Sequence, residues 1–447
     1  MALSGIQIYK LLPQTNCKEC GFPTCLAFAM KLAAKQVELS ACPYVSEESK
    51  AQLAESAAPP IRLVSLKSNG YEVKGGNEVV LFRHEKTFYN RPGIFLRVLD
   101  TESEADLKAK IALADAYTVN YVGIDLNLDG FTVASMAGEP GAFSKAVSVV
   151  RQQTKRPLIL MSRDVDCLRA ALGALDGETP LLYGADAGNW EAMAGLAAEF
   201  KTPLGVIDPT LEGLAELTDK IKAKGVEDLV LDPGGRTFGP GLALGTQIRR
   251  LSLKKNFRPL GYPVIAFPGD AGDAGLEAML AAQAIAKYAG FIVLDTFSPE
   301  LIYPILVLRQ NIYTDPQKPI QVQPGLYEIN NPKPEDPVLV TTNFSITYFS
   351  VANEVEGAGL PAWLLVSDAE GMSVLTAWAA GKFDSERIAK AVKEFQVADK
   401  VSRKRIVLPG HVAVLSGELE EELPGWEIRV GPREAVDLPV FLRQALT

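Results

Sequence analysis

The chain has 447 residues, 47% of them hydrophobic and 22% charged, with a formal charge of −9. That length sets a prior of about three domains, and that hydrophobic share can bury sizeable cores. The acidic balance, without a long basic run, argues against nucleic acid as a main partner, because phosphate binding needs clustered Lys and Arg. Residues 1–14 lack the basic, apolar and small-residue sections of a signal peptide. No stretch reaches about 18 uninterrupted apolar residues, so no membrane span is expected. A cytoplasmic, reducing location follows, where clustered cysteines read as metal ligands rather than disulfides.

Residues 1–59 read as a small metal-binding domain. Helices are predicted over 4–12, stopped by Pro13, over 25–39, and over 47–58, which ends at a boundary at Pro59-Pro60. Four of the five cysteines fall here, as Cys17, Cys20, Cys25 and Cys42, in the spacing C-x2-C-x4-C-x16-C. Such clustering of a scarce residue assigns the four sulfurs one task. Structural zinc sites use two C-x2-C pairs, and this stretch has one. Cuboidal iron–sulfur clusters take thiolates from a compact loop plus a more distant Cys, often followed by Pro, as Cys42-Pro43 is. A 4Fe–4S cluster is therefore favoured, with zinc as the alternative. The mostly apolar surroundings favour a low potential, since added negative charge is poorly solvated there. A unit this small has little core, so the metal centre would contribute to its stability.

Residues 60–92 carry hairpin signals at Asn69-Gly70 and Gly75-Gly76-Asn77 and read as a β-rich cover for the next domain. Over 93–318, eight short apolar runs are predicted as strands: 94–98, 121–126, 157–161, 180–183, 203–207, 228–231, 263–267 and 291–294. Helical stretches alternate with them, and eight such units indicate a closed (β/α)8, TIM-like barrel. Asp125, Asp208, Asp232, Asp270 and Asp295 fall at strand ends, the catalytic face of this fold. Asp-Pro and Asp-Gly sequences also cap helices and make turns, and no His lies between positions 85 and 410. The barrel is therefore read as a scaffold, and the lone Cys167 as a buried structural thiol.

Residues 319–336, rich in Pro, Gln, Gly and Asn, read as a linker. Over 337–447, strands at 338–341, 362–366, 405–408 and 426–430 alternate with helices, which predicts a Rossmann-like domain. The whole chain is thus expected to be α/β. Ligands of such sheets bind at the carboxyl ends of strands. Here those loops hold Thr341-Thr342-Asn343, Glu370-Gly371-Met372-Ser373, Pro409-Gly410-His411 and Gly431-Pro432-Arg433. They are rich in residues that bring backbone N–H groups close to a ligand, though ordinary βα turns use the same types. No G-x-G-x-x-G follows the first of these strands, and the glycines from Gly234 to Gly245 have the wrong spacing, so NAD and FAD are disfavoured. Two histidines, His84 and His411, are too few for a His-ligated metal site.

The segment Thr15-Asn16-Cys17-Lys18-Glu19-Cys20-Gly21-Phe22-Pro23-Thr24-Cys25-Leu26-Ala27-Phe28-Ala29 resembles the N-terminal domain of the large (gamma) subunit family of corrinoid iron–sulfur proteins. These belong to the reductive acetyl-CoA pathway of anaerobes. The cysteine module alone also occurs in other electron-transfer proteins. Specificity comes from Thr341-Thr342-Asn343-Phe344-Ser345-Ile346-Thr347-Tyr348, Glu370-Gly371-Met372-Ser373-Val374, Thr376-Ala377-Trp378-Ala379-Ala380-Gly381-Lys382-Phe383 and Gly431-Pro432-Arg433-Glu434-Ala435. The resemblance runs the length of the chain, in the order cluster domain, barrel, corrinoid-binding domain. It implies a methyl carrier, with no catalytic side chain of its own. The corrinoid (cobalamin-type) cobalt takes a methyl group from methyltetrahydrofolate through a separate methyltransferase and passes it to acetyl-CoA synthase/CO dehydrogenase. The 4Fe–4S cluster, fed by a low-potential electron donor, returns Co(II) to Co(I).

The resemblance also implies a heterodimer with a small (beta) barrel subunit, the corrinoid lying between the two. Corrinoid contacts carry over to Thr342, Thr347, Gly371, Met372, Ser373, Val374, Gly431, Pro432 and Arg433, with Thr376 near the cobalt. The D-x-H-x-x-G motif that gives a histidine to cobalt in other corrinoid modules is absent, because Pro409 precedes His411 by two and Val414 follows it by three. No protein histidine is then expected as lower ligand, and a cobalt without strong axial nitrogen is easier to reduce. Two other readings stay open at this stage: an iron–sulfur electron-transfer subunit without corrinoid, and a pterin-dependent methyltransferase.

Overall fold

The computed structural model describes residues 5–33, 36–50, 53, 59–315 and 320–445. The chain divides into two compact units, Met1–Tyr117 with Asn127–Tyr313, and Thr118–Leu126 with Thr314–Thr447. In the first, helices Gly5–Leu11 and Cys25–Ala33 precede a 3-10 turn at Leu39–Ala41. They enclose a small core of Ile8, Leu12, Phe28, Ala29 and Val45 that also takes in Cys25 and Cys42. Gly5 lets the two helices meet, since a Cβ there would fall 2.3 Å from Met30 Sδ. Most of the helix expected over 47–58 lies outside the described residues.

An antiparallel hairpin, β1 (Val64–Ser68) and β2 (Tyr71–Gly75), follows, with its turn at Asn69-Gly70 as expected. Eight parallel strands then close a barrel: β3 (Gly93–Leu99), β6 (Gly130–Ala134), β7 (Leu158–Met161), β8 (Leu181–Ala185), β9 (Leu204–Ile207), β10 (Leu229–Asp232), β11 (Val264–Ala266) and β12 (Ala289–Leu294). The hairpin seals the amino-terminal end. Val64, Leu66 and Val73 pack into one core with Phe95, Ile159, Phe291 and Val293. The fit is close at Gly93, where a Cβ would lie 2.5 Å from Val73 Cγ1.

The count of eight holds, but one member differs. The run at 121–126 is not a barrel strand. It is the hairpin β4 (Val119–Tyr121) and β5 (Ile124–Leu126), turned at Val122 (φ 49°) and Gly123 (φ 81°). Two consecutive positive φ values make the tight turn of a two-residue hairpin, which a search for continuous apolar runs overlooks. Its Tyr121 and Val122 pack in the core of the second unit. The true second strand is β6, entirely buried, whose Gly130 and Thr132 dilute the apolar signal.

A buried cation closes the barrel. Arg309, from helix Pro299–Ile312, is 1% exposed and donates to the carbonyls of Pro92 (2.9 Å) and Asn127 (3.1 Å) and to the Asp129 carboxylate. Asp129 in turn accepts from the backbone N–H of Ile94 at 2.9 Å. The last helix, the first strand and the approach to β6 thus meet on one ion pair.

The second unit is a five-stranded sheet ordered β13 (Gly325–Ile329), β15 (Ala362–Ser367), β14 (Val338–Thr342), β16 (Arg405–Leu408), β17 (Glu427–Val430). The four strands β14 to β17 run parallel, as expected, and β13 is antiparallel at the edge. The segment 319–336 is therefore not simply a linker. Its Gly325-Leu-Tyr-Glu-Ile run lies on β15 with one residue of five fully buried, and so weak an alternation is masked by the flanking Pro and Asn. Residues 316–319 lie outside the described residues. Successive residues of β14, β15 and β16 enter two different cores, Val338, Val340, Leu365 and Ile406 on one face, Leu339, Leu364, Val366 and Val407 on the other. Burial on both faces explains the continuous apolar runs of these strands.

Arg309→Ala is expected to destabilise the barrel by about 3–5 kcal/mol, because Asp129 stays buried without its counter-charge. Urea unfolding of the full chain at neutral pH measures this.

Candidate cofactor sites

The first candidate is the cysteine loop. Gln14, Asn16, Lys18 and Gly21 all have positive φ (58°, 50°, 67° and 82°), so the backbone between the two helices curls repeatedly through the left-handed region. For a non-glycine residue that costs roughly 1–2 kcal/mol, and it persists where the surroundings over-determine it. Asn16 supplies one constraint, its Oδ1 accepting from the Cys25 backbone N–H at 2.8 Å, and Lys18 another, its carbonyl accepting from Gly21 at 2.9 Å. Tyr44, just after Cys42-Pro43, donates to Glu19 at 2.8 Å and ties the distant cysteine segment to the loop. That carboxylate pushes the Tyr44 phenol above its usual range.

Cys25 and Cys42 are buried, Cys20 is half-buried and Cys17 exposed, and none is in a disulfide. Among the described residues no three His, Cys, Asp or Glu side chains converge as for a single metal ion. All four thiols are free, and Glu19, the carboxylate between Cys17 and Cys20, is already engaged by Tyr44.

The second candidate lies in the sheet of the second unit. Helix Ser345–Gly357, after β14, packs on one face through Ala352 and Val355. The turn Gly410–Leu415 and helix Ser416–Glu422, after β16, pack on the other through Val412, Leu415 and Leu419. Where neighbouring strands send their helices to opposite faces, a crevice opens between their carboxyl ends. A cleft of about 280 Å³ lies there. Of the ten residues carried over from the resemblance, Thr347, Ser373, Val374, Gly431, Pro432 and Arg433 line it. They come from the segments that follow three different strands, β14, β15 and β17.

The other four do not line it. Thr342 is fully buried at the end of β14, and its Oγ1, like that of the lining residue Thr341, has no hydrogen-bond partner. Met372 packs against the core, and Thr376 pairs with Ser373 through their hydroxyls at 3.0 Å. Gly371 has φ 74°, and a Cβ there would fall 2.6 Å from Gln321 Nε2. Glycines also bring the 410 and 431 loops together, Gly410 donating to the Pro432 carbonyl at 3.0 Å. His411 lines the cleft, in one of the strand-end loops singled out from sequence, though it was given no ligand role there. Asn343 was visible merely as part of a polar loop. Gln321 belonged to the supposed linker.

At the carboxyl mouth of the barrel, Asp232, Asp270 and Asp295 do converge, but on two arginines. Arg236 forms a two-pronged pair with Asp232 (2.7 and 2.6 Å) and reaches Asp270 (2.9 Å), while Arg97 reaches Asp270 (2.8 Å) and Asp295 (2.6 Å). Tyr183 donates to Asp232 at 2.5 Å. Burial, then the Asp232 charge, hold its phenol far above the usual range, so it stays a donor. Asp125 is elsewhere, on the β4–β5 hairpin beside Asn120. Asp208 accepts from Thr210 at the start of a helix. Every one of the five has a hydrogen-bonding or ionic partner. Cys167 is buried, as expected, with its thiol pushed up by burial.

Comparison with known proteins adds an independent line. Residues 63–442 match the family model described as CO dehydrogenase/acetyl-CoA synthase delta subunit, and residues 12–44 match a model for an Fe–S cluster family. The chain is 46% identical over 446 residues to the corrinoid/iron-sulfur protein large subunit of Moorella thermoacetica, covering 100% of both chains. It is 36% identical to the acetyl-CoA decarbonylase/synthase complex subunit gamma of Archaeoglobus fulgidus (97% of this chain, 96% of that one). The gamma subunit from Methanopyrus kandleri is also 36% identical, with 99% and 98% covered.

Gly371→Ala is expected to lower the stability of the second unit by about 1–2 kcal/mol, the cost of the left-handed region for a side chain. Any excess reports the collision with Gln321, and Gln321→Ala in the same chain should remove that excess in thermal unfolding.

Proposed function

The chain belongs to the family of corrinoid/iron–sulfur protein large subunits, and from this we propose that it is a methyl carrier whose corrinoid sits at the cleft of the second unit. The observation that carries the reading is the convergence of Thr347, Ser373, Val374, Gly431, Pro432 and Arg433 on one crevice. The cleft is open and does not enclose a ligand on all sides, which suits a cofactor shared with a second subunit. The unpartnered hydroxyl of the lining residue Thr341 agrees with a polar ligand at the carboxyl end of β14. We read the unit as a Rossmann-like corrinoid-binding domain, with Gly371, Met372 and Thr376 shaping the adjoining loop and Thr342 beneath it.

When bound, the corrinoid supplies a cobalt that takes a methyl group from methyltetrahydrofolate through a separate methyltransferase and yields it to acetyl-CoA synthase, while the cluster supplies the electron that restores oxidised cobalt. The chain's own residues hold and orient. Cys17, Cys20, Cys25 and Cys42 are the proposed ligands of a 4Fe–4S cluster. The left-handed turns at 14, 16, 18 and 21 shape the loop that carries three of them. Arg433, exposed at the cleft wall, would offer positive charge to the acceptor groups of the corrinoid periphery. Cleft residue His411 stands in a motif unlike the D-x-H-x-x-G pattern, so it is assigned to the cleft wall and not to the cobalt.

The proposed partners are a small subunit completing a heterodimer, the methyltransferase, acetyl-CoA synthase and a low-potential electron donor. No described helix is long and apolar enough to cross a membrane. The free thiols suit the reducing cytoplasm, the proposed location.

Purified without oxygen together with its partner subunit, the chain should carry iron, sulfide and cobalt and show corrinoid absorption bands. Iron without cobalt in that complex overturns the reading in favour of a plain electron-transfer subunit. Cys42→Ser should leave methyl transfer from chemically pre-reduced complex unchanged and abolish reductive reactivation of the oxidised form. Loss of both together would contradict the division between cluster and cleft.

A further inference from the structure

Asn343 makes six hydrogen bonds to the loops around the cleft, yet it does not line the cleft. It sits between β14 and helix Ser345–Gly357, is 2% exposed, and bonds to two segments, 321–322 and 367–371. Its backbone N–H donates to the Ser367 carbonyl at 3.0 Å, and its carbonyl accepts from Val322 at 2.9 Å. Its side-chain Oδ1 accepts from the backbone N–H groups of Ala369 (2.9 Å) and Gly371 (3.0 Å). Its Nδ2 donates to Asp368 Oδ1 at 3.0 Å and to Gln321 Oε1 at 3.4 Å.

The loop it grips needs an external hold. Glu370 and Gly371 both have positive φ (54° and 74°), and the loop's own bonds are few: Met372 to the Ala369 carbonyl (3.1 Å) and Glu370 to Asp368 Oδ1 (3.0 Å). Ala369, held by Asn343, is fully buried, and four residues further on Ser373 opens helix Val374–Ala379 at the cleft wall. On the other side, Ile346, Thr347 and Ser350 of the helix just after Asn343 form the facing wall. One amide therefore sets the distance between two walls of the crevice.

Resting on the corrinoid reading above, we propose that Asn343 is a positioning residue: it holds the loop 367–373 in the shape that receives the cofactor, without touching the cofactor. An amide is required because two backbone donors and one carboxylate acceptor converge on it, and only a side chain with both an acceptor and a donor end satisfies them. Leucine, of similar size, would leave the 369 and 371 N–H groups without a partner, and a buried donor left unmade is costly enough to reshape a loop.

The test uses the full chain with its partner subunit and hydroxocobalamin as probe. In Asn343→Leu, exchange of the 369 and 371 amide protons should accelerate while the barrel amides keep their protection. Affinity for hydroxocobalamin should fall roughly tenfold. The double variant Asn343→Asp with Asp368→Asn exchanges donor and acceptor across the 3.0 Å contact at constant charge. It should recover most of the lost affinity, whereas Asn343→Asp alone, which sets two carboxylates together, should not. Unchanged affinity in Asn343→Leu, or a double variant no better than Asn343→Asp, overturns the proposal. Should Asn343→Leu fail to fold, the comparison of single and double aspartate variants decides alone. Failure of the unaltered complex to bind hydroxocobalamin is a different result and strikes the corrinoid reading itself.

Discussion

The reversal of direction at β14 governs the second unit. Parallel strands connect through right-handed crossovers, so stepping from β14 to β15 places a helix on one face and stepping back past β14 to β16 places the next on the other. The two helices diverge, and the strand ends between them cannot be covered by either. A crevice is the unavoidable result, and every polar loop of interest meets there. What distinguishes this crevice from an ordinary one is its finish. Glycines at 410 and 431 bring two loops into backbone contact, and Asn343 holds a third in a conformation it would not keep alone.

The barrel handles its equivalent face differently. Its carboxyl mouth gathers three aspartates, but two arginines and a tyrosine engage all of them. Of the three only Asp232 is fully buried, so only its pairing with Arg236 carries the roughly 3–5 kcal/mol cost of breaking a buried ion pair. At its other end a hairpin packs into the barrel core.

Much of this was legible beforehand because it depends on local chemistry. Cysteines at 17, 20, 25 and 42 announce a metal centre by spacing, and alternating apolar runs and helices announce a barrel and a parallel sheet by count. The errors have a common origin. The run at 121–126 and the segment at 325–329 were judged by their own composition, whereas their structure is decided by distant partners: β5 pairs with β4 in a hairpin that joins the second unit's core, and β13 pairs with β15. Asp125 was misplaced with its strand for that reason. Asn343 and Gln321 were invisible as organisers, since a side-chain amide carries no signal of what it will bond.

Sequence by itself determined the element types, the thiol cluster, and the loops from which a ligand site would be built, because periodicity, scarcity and turn chemistry act over a few residues. Tertiary structure alone decided which loops converge, which carboxylates are already engaged and which hairpin belongs to which unit. Those outcomes depend on contacts between residues tens to hundreds of positions apart, such as Arg309 with Asp129 and Asn343 with Gly371. Their energies arise only once the chain has closed on itself.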